Sequence, residues 1–161
     1  MKIESKSNIP RSDLPVPAGH YAVAILKCEA GASKSSGADQ VTWQLQVLAP
    51  DSVVVDGQTV KVAGRTFRHY TTFSENNLER AIGEAESVLG EALPESFDTA
   101  DVAAAIVEHC KGKMFPSLEI YPTERVVQDA QYKPILKDGQ VEVIGYDLKV
   151  RNRLSTPIMA V

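Results

Sequence analysis

The sequence has little of what usually announces a chemistry. Its two cysteines, Cys28 and Cys110, stand too far apart to form a metal knuckle and both fall on apolar stretches, which reads as buried free thiols. Three scattered histidines (His20, His69, His109) have no Cys, Asp or His at zinc-ligand spacing. No apolar run approaches the roughly 20 residues that cross a bilayer. Met1–Lys6 lacks the apolar stretch of a signal peptide, so the expected location is the cytoplasm. Gly31–Gly37 holds a Lys-Ser pair but lacks the first glycine of a phosphate loop and opens no helix. Glu84 with Glu86, or Asp98 with Asp101, could be offered as acid pairs, but they sit where a solvated helix face is expected. No nucleophile has a recognisable base. These absences predict a protein that is not an enzyme and uses neither metal nor cofactor.

An excess of positive charge is also missing. The formal net charge of −4 argues, as an average, against a polyanionic partner. Divided along the chain it says something else. Residues 74–110 hold nine acids against one base, Arg80, a net of −8. The remaining residues hold 16 bases and 12 acids, a net of +4. An acidic block is therefore set into a mildly basic body.

What is present is one domain's worth of alternating apolar residues: 161 residues, 43% hydrophobic and 24% charged, enough to bury a core without staples. Residues 1–18, with Pro10, Pro15 and Pro17, read as an extended arm or tether. A strand follows from Gly19, with Tyr21, Val23 and Ile25 on one face and the small apolar Ala22, Ala24, Leu26 and Cys28 on the other. The loop 31–39 leads to a half-buried strand with Val41, Trp43, Leu45 and Val47 in phase. Asp56-Gly57 marks a two-residue hairpin, and residues 65–73 are strand again. The period then changes to helical, with Leu78, Ile82, Ala85 and Leu89 on one face and Gly90 as a C-terminal cap. Asp98 or Thr99 caps a second helix with Val102, Ala103, Ile106, Val107 and Cys110 inward. Lys113–Tyr121 returns to strand, and Pro116 suggests an edge. A polar connection over 122–139 contains the turn Lys137-Asp138-Gly139. Residues 140–150 form the last strand, where the phase shift at Gly145 marks a bulge.

The order is three strands, a helical insertion over 74–110, and two more strands. That is the order of an OB-fold, a mainly β five-stranded Greek-key barrel with its helix between strands three and four. Other small barrels and α+β sandwiches remain open on pattern alone. The expected domain covers 19–154, followed by an apolar tail at 155–161.

On such a barrel the second and third strands, with the loops joining strands one to two and four to five, form the usual binding face. Cations that follow phosphates and flat rings that stack bases are what a single-strand binder needs. Several candidates fall there: Lys34 in the first loop, Trp43 and Gln44 on the second strand, and Arg65, Arg68 and Tyr70 on the third. Arg125, Tyr132 and Lys133 lie in the last long loop. Lys149, Arg151 and Arg153 recur at period two, predicting one basic strand face. Trp43 is in phase with Val41 and Leu45, so its own spacing favours the core. Phe67 and Phe73 share a parity that Tyr70 does not, so Arg68 and Tyr70 are the outward pair if the phenylalanines face inward.

Leu14-Pro15-Val16-Pro17-Ala18-Gly19-His20-Tyr21, followed by an apolar strand and Ser33-Lys34-Ser35-Ser36-Gly37, resembles a family of phage-encoded proteins. In that family a Pro-x-Gly-x-Tyr opening precedes a Ser-Lys-Ser-Gly loop and a strand like Val41–Val47. Asn77-Leu78-Glu79-Arg80-Ala81, Lys111-Gly112-Lys113-Met114-Phe115 and Tyr146–Arg151 fit the same pattern, so the resemblance spans residues 14–153. It implies an OB-fold single-stranded DNA-binding protein encoded near phage replication and recombination genes, working in the host cytoplasm. It also implies DNA contacts from the Ser33–Gly37 loop and the exposed side of the second and third strands. Such binders often end in an acidic recruiting tail, whereas Ser155–Val161 is apolar. The acidic segment 74–110 is then the candidate surface for replication or recombination proteins, and the tail a candidate contact between subunits. The rival expectation is a non-enzymatic protein-interaction module, serving as a phage accessory, anti-defence or virion protein on the same fold. Net charge and the −8 insertion favour that rival.

Overall fold

A strand with one apolar face must bury it, and Val41, Trp43, Leu45 and Val47 make such a face. The computed structural model describes residues 11–160 and places that strand inside a six-stranded sheet. Gly19–Ala32 (β1) pairs antiparallel with Asp39–Ala49 (β2). Ser52–Val55 (β3) and Gln58–Lys61 (β4) form a separate hairpin whose turn residues Asp56 and Gly57 both have positive φ, 48° and 77°. That is the geometry a two-residue turn needs to match strand twist. Thr66–Thr72 (β5) then pairs with the other edge of β2.

Two helices follow. A 3₁₀ turn leads into Leu78–Leu89 (α1), which ends at Gly90 in the left-handed conformation, and Thr99–His109 (α2) is capped by the Asp98 carboxylate accepting from the Ala100 amide at 2.8 Å. The buried face of α1 overlaps the expected one at Ala85, and Leu89 packs on the core, but it is turned toward Ala81, Glu84 and Val88. Ala81, Glu84, Ala85 and Val88 point inward, while Leu78 is exposed. The small alanines and the donors waiting for Glu84 decide which face turns in. Glu84, expected on a solvated face, is only 3% exposed, and half-buried Glu86 accepts from the Leu93 amide.

Lys113–Val126 (β6) pairs with β1 on one side and, on the other, with Val143–Val150 (β9) and Ile158–Met159 (β10). It is therefore interior. Pro116, expected at an edge, falls instead where the register against β1 slips, between Leu118 opposite Tyr21 and Phe115 opposite Val23. A bulge leaves a backbone position unpaired, so proline costs no ladder bond there. The expected polar connection is strand at both its ends. β6 runs on to Val126, and Leu136–Lys137 (β7) and Gln140–Val141 (β8) form a hairpin whose turn residues Asp138 and Gly139 again have positive φ. The sequence reads as polar because this β-arm is exposed along almost its whole length. The bulge expected at Gly145 is present: Arg125 faces Gly145 and Val126 faces Val143, leaving Ile144 unpaired.

The sheet runs β5-β2-β1-β6, with β9 beside β6, and β9 comes round to lie near β5. The chain is mainly β, with a nearly closed barrel-like sheet. Trp43, Phe115, Leu45, Ile106 and Leu154 are among the side chains that fill its core. Of the expected arm, residues 1–10 lie outside the described residues. Residues 11–18 are not a free tether: Arg11 bridges to Val60, and Val16 is buried. The tail lies on its own barrel, with Pro157 buried and β10 paired to β6, although Ile158 and Met159 stay exposed.

Candidate functional site

Alternation along β5 puts Phe67, Thr71 and the following Phe73 inward and leaves Arg68 and Tyr70 exposed, the latter at 50%. Arg68 stands opposite Gln44, which stands opposite Lys27; Tyr70 stands opposite Thr42. These residues form the outer rungs of the sheet. Along the seam between β5 and β9 lie two hollows, of about 280 and 650 Å³. Arg68, Tyr70 and Lys149 line both. Arg80, Asn77 and Tyr121 complete the smaller one against α1; Arg65, Arg125 and Tyr146 belong to the larger. Cations and tyrosines from four elements, β5, α1, β6 and β9, converge on one seam, a combination that suits an extended anion carrying flat rings.

The floor of the smaller hollow is a buried polar network. Glu84 reaches His69 Nε2 at 2.8 Å, and its other oxygen accepts from the Leu154 amide at 2.9 Å. Thr71 donates its hydroxyl to Glu84 and accepts from Trp43 Nε1 at 3.0 Å. Burial pushes the Glu84 carboxyl upward, but the His69 bond and charge, with the Thr71 and Leu154 donors, outweigh it and hold the pKa below the ordinary carboxylate value. An ionised carboxylate only accepts, so His69 Nε2 bears the proton that points at it. Every donor this carboxylate needs is supplied, and the network ties β5, α1 and the segment after β9 together.

The expected site residues separate. Arg68, Tyr70, Lys149, Arg125 and Arg65 come together along the seam. Arg65, expected as a phosphate ligand, is largely committed elsewhere: its guanidinium donates to the carbonyls of Lys61 at 3.0 Å, Leu14 at 2.8 Å and Arg11 at 3.4 Å. Arg125 makes an exposed ion pair with Asp147 at 3.4 Å. Trp43 is fully buried, 6.0 Å from the Phe115 ring, and offers no face to a base. Lys34 sits in the tight β1–β2 turn and lines neither hollow; Tyr132, 80% exposed, and Lys133 sit at the outer end of the β-arm. The predicted stripe through Lys149, Arg151 and Arg153 does not form. β9 stops at Val150, and Asn152 at φ 66° breaks the alternation. Arg151 instead lies over the Tyr121 ring at 4.5 Å, beside Glu119, and Arg153 packs against Gly83 of α1.

Sequence reading missed Arg80, Tyr121 and Tyr146. Arg80 had a signal, as the lone base in the acidic segment. The tyrosines had none without the β6–β9 register, which sets Tyr121 opposite Lys149 and Tyr146 opposite Glu124. Among the described residues no three metal-ligating side chains cluster, and no helix is long and apolar enough to cross a membrane.

The fold and the seam together define a mainly β, barrel-like protein with a groove of cations and tyrosines beside a helical insertion. The chain belongs to the family described as "Protein of unknown function (DUF669)", which matches residues 4–109. That match covers β1 through α2, and so the β5 and α1 wall of the groove but not the β9 wall. No curated protein and no solved structure matches the chain.

Proposed function

We propose that this protein is an OB-fold that binds single-stranded DNA along the seam between β5 and β9. The neighbour order of its long strands supports the fold: β1 lies between β2 and β6, β5 lies outside β2, β9 lies beside β6, and the helices fall between β5 and β6. The observation that carries the function is the pair of adjoining hollows sharing Arg68, Tyr70 and Lys149. Arg68, Lys149 and Arg125 neutralise phosphates, and Tyr70 and Tyr146 stack bases. The resemblance to phage single-strand binders supports a role in replication or recombination, in the cytoplasm of the host cell. The reading is non-enzymatic, because both Glu84 oxygens accept from groups of the fold, His69, Thr71 and the Leu154 amide, and the network ties the barrel together. Fluorescence anisotropy with labelled oligo-dT tests it: saturable binding at low salt that weakens at moderate salt is expected, and no binding at low salt refutes it.

A second reading, docking of a protein partner, is favoured by the helical insertion. Seven of its nine acids, Glu75, Glu79, Glu91, Glu95, Asp98, Asp101 and Glu108, are exposed. A partner with a basic surface recruited there is compatible with DNA in the seam, since Arg80 is the insertion's one cation and lies on the groove side.

A further inference from the structure

The two hollows differ in what bounds them. The larger is lined by strands, Val16 and Arg65, with no helical residue, whereas α1 closes one side of the smaller through Arg80 and Ala81, with Asn77 at its N-cap. A strand followed along the seam from the larger hollow into the smaller therefore runs against a helix. Inside the smaller hollow three cations meet from three elements: Arg68 of β5, Arg80 of α1 and Lys149 of β9. Among the described residues none of the three is in an ion pair. Arg80 makes one long bond, to the Asn152 carbonyl at 3.4 Å. The single carboxylate lining the hollow, Glu84, bonds to His69, Thr71 and the Leu154 amide and makes no ion pair with any of the three, so at most one of their three charges is offset.

Three convergent cations, with at most one charge offset by Glu84, exceed what one internal phosphodiester, with a single negative charge, requires. A phosphomonoester brings about −1.5 to −2 at neutral pH and three acceptor oxygens, matching two guanidinium forks and an ammonium. A volume of about 280 Å³ has room for a phosphate with its attached sugar. We propose that the smaller hollow is a socket for the terminal phosphate of a DNA strand, so that the protein holds a phosphorylated strand end as well as strand interior. The proposal rests on the single-strand reading above and names which part of the strand the α1 side of that site takes.

The test uses the full chain and internally labelled oligo-dT of one length, carrying a 5′-phosphate, a 3′-phosphate or hydroxyls at both ends. One phosphorylated end is expected to bind about tenfold tighter than the hydroxyl-ended strand, the size of one or two charge-assisted bonds. Arg80→Ala is expected to bring that ratio to one, and circular dichroism of the variant checks that it folds. Equal affinity for phosphorylated and hydroxyl-ended strands overturns the socket while leaving single-strand binding standing. Binding to none of the three removes the single-strand reading and the socket with it. Thymidine 5′-monophosphate competes in a parallel arm: displacement as efficient as that by a phosphorylated oligonucleotide assigns the hollow to free nucleotides and overturns the strand-end assignment.

Discussion

Glu84 shows how one residue inverts a reading made from spacing alone. On a helix full of acids it looks solvated, yet it accepts from His69, Thr71 and the Leu154 amide at 3% exposure. Removing it strands several buried donors at once, so Glu84→Ala is expected to cost about 3–5 kcal/mol in urea unfolding. Its folded pKa lies below the ordinary carboxylate value, so the stabilisation is complete above about pH 4.3 and is lost as pH falls through the folded value. Acid unfolding of Glu84→Gln, followed by circular dichroism, should lack that contribution; an unchanged acid limb would show that another group controls it. Tyr70 is the opposite case, a residue whose outward position follows from parity with Phe67 and Phe73. Tyr70→Ala should weaken oligo-dT binding by about 1–3 kcal/mol, the worth of one stacked base, and leave the melting temperature unchanged. Loss of well under that range removes it from the binding face.

At the scale of elements, the third long strand does two jobs that its sequence does not separate. Arg68 faces the seam, while Arg65, just before β5, clamps the described part of the arm through the Leu14 and Arg11 carbonyls. Replacing Arg65 by alanine should cost about 1–3 kcal/mol and open the backbone ahead of Val16 to limited proteolysis, with oligo-dT affinity little changed. A large affinity loss without new cleavage would return Arg65 to the phosphate ligands. Much of the element plan was legible: the phase of β2, the Asp-Gly hairpins, the Gly90 cap and the bulge beside Gly145 all follow from local chemistry. The illegible parts depend on partners distant in sequence. Which face of α1 turns inward is decided by donors on β5 and at Leu154. How far β6 runs beyond Tyr121 is decided by pairing with a solvated β9, and where Lys149, Arg151 and Arg153 diverge is decided by a single left-handed residue, Asn152. The same limit explains the site: Arg68 and Tyr70 were readable from parity, but Arg80, Tyr121 and Tyr146 become neighbours only when β9 closes toward β5.

For the whole molecule, charge is sorted rather than merely balanced. The insertion bears −8 and the remaining residues +4, and the few cations on the seam set how strongly salt should act. Arg68, Arg125 and Lys149 as three phosphate contacts predict a log–log slope of about −2 for oligo-dT binding against salt. Anisotropy titrations over a salt series measure it, and a slope steeper than about −4 would place contacts beyond the seam. The Leu154 amide that completes the Glu84 site belongs to a residue 70 positions later in the chain. During synthesis, α1 leaves the ribosome well before the donor that satisfies its buried carboxylate, together with β6 and β9. The barrel cannot settle domain-first from its N-terminal side; its final packing waits on translation reaching residue 154, and until then the nascent chain is open to chaperones and proteases.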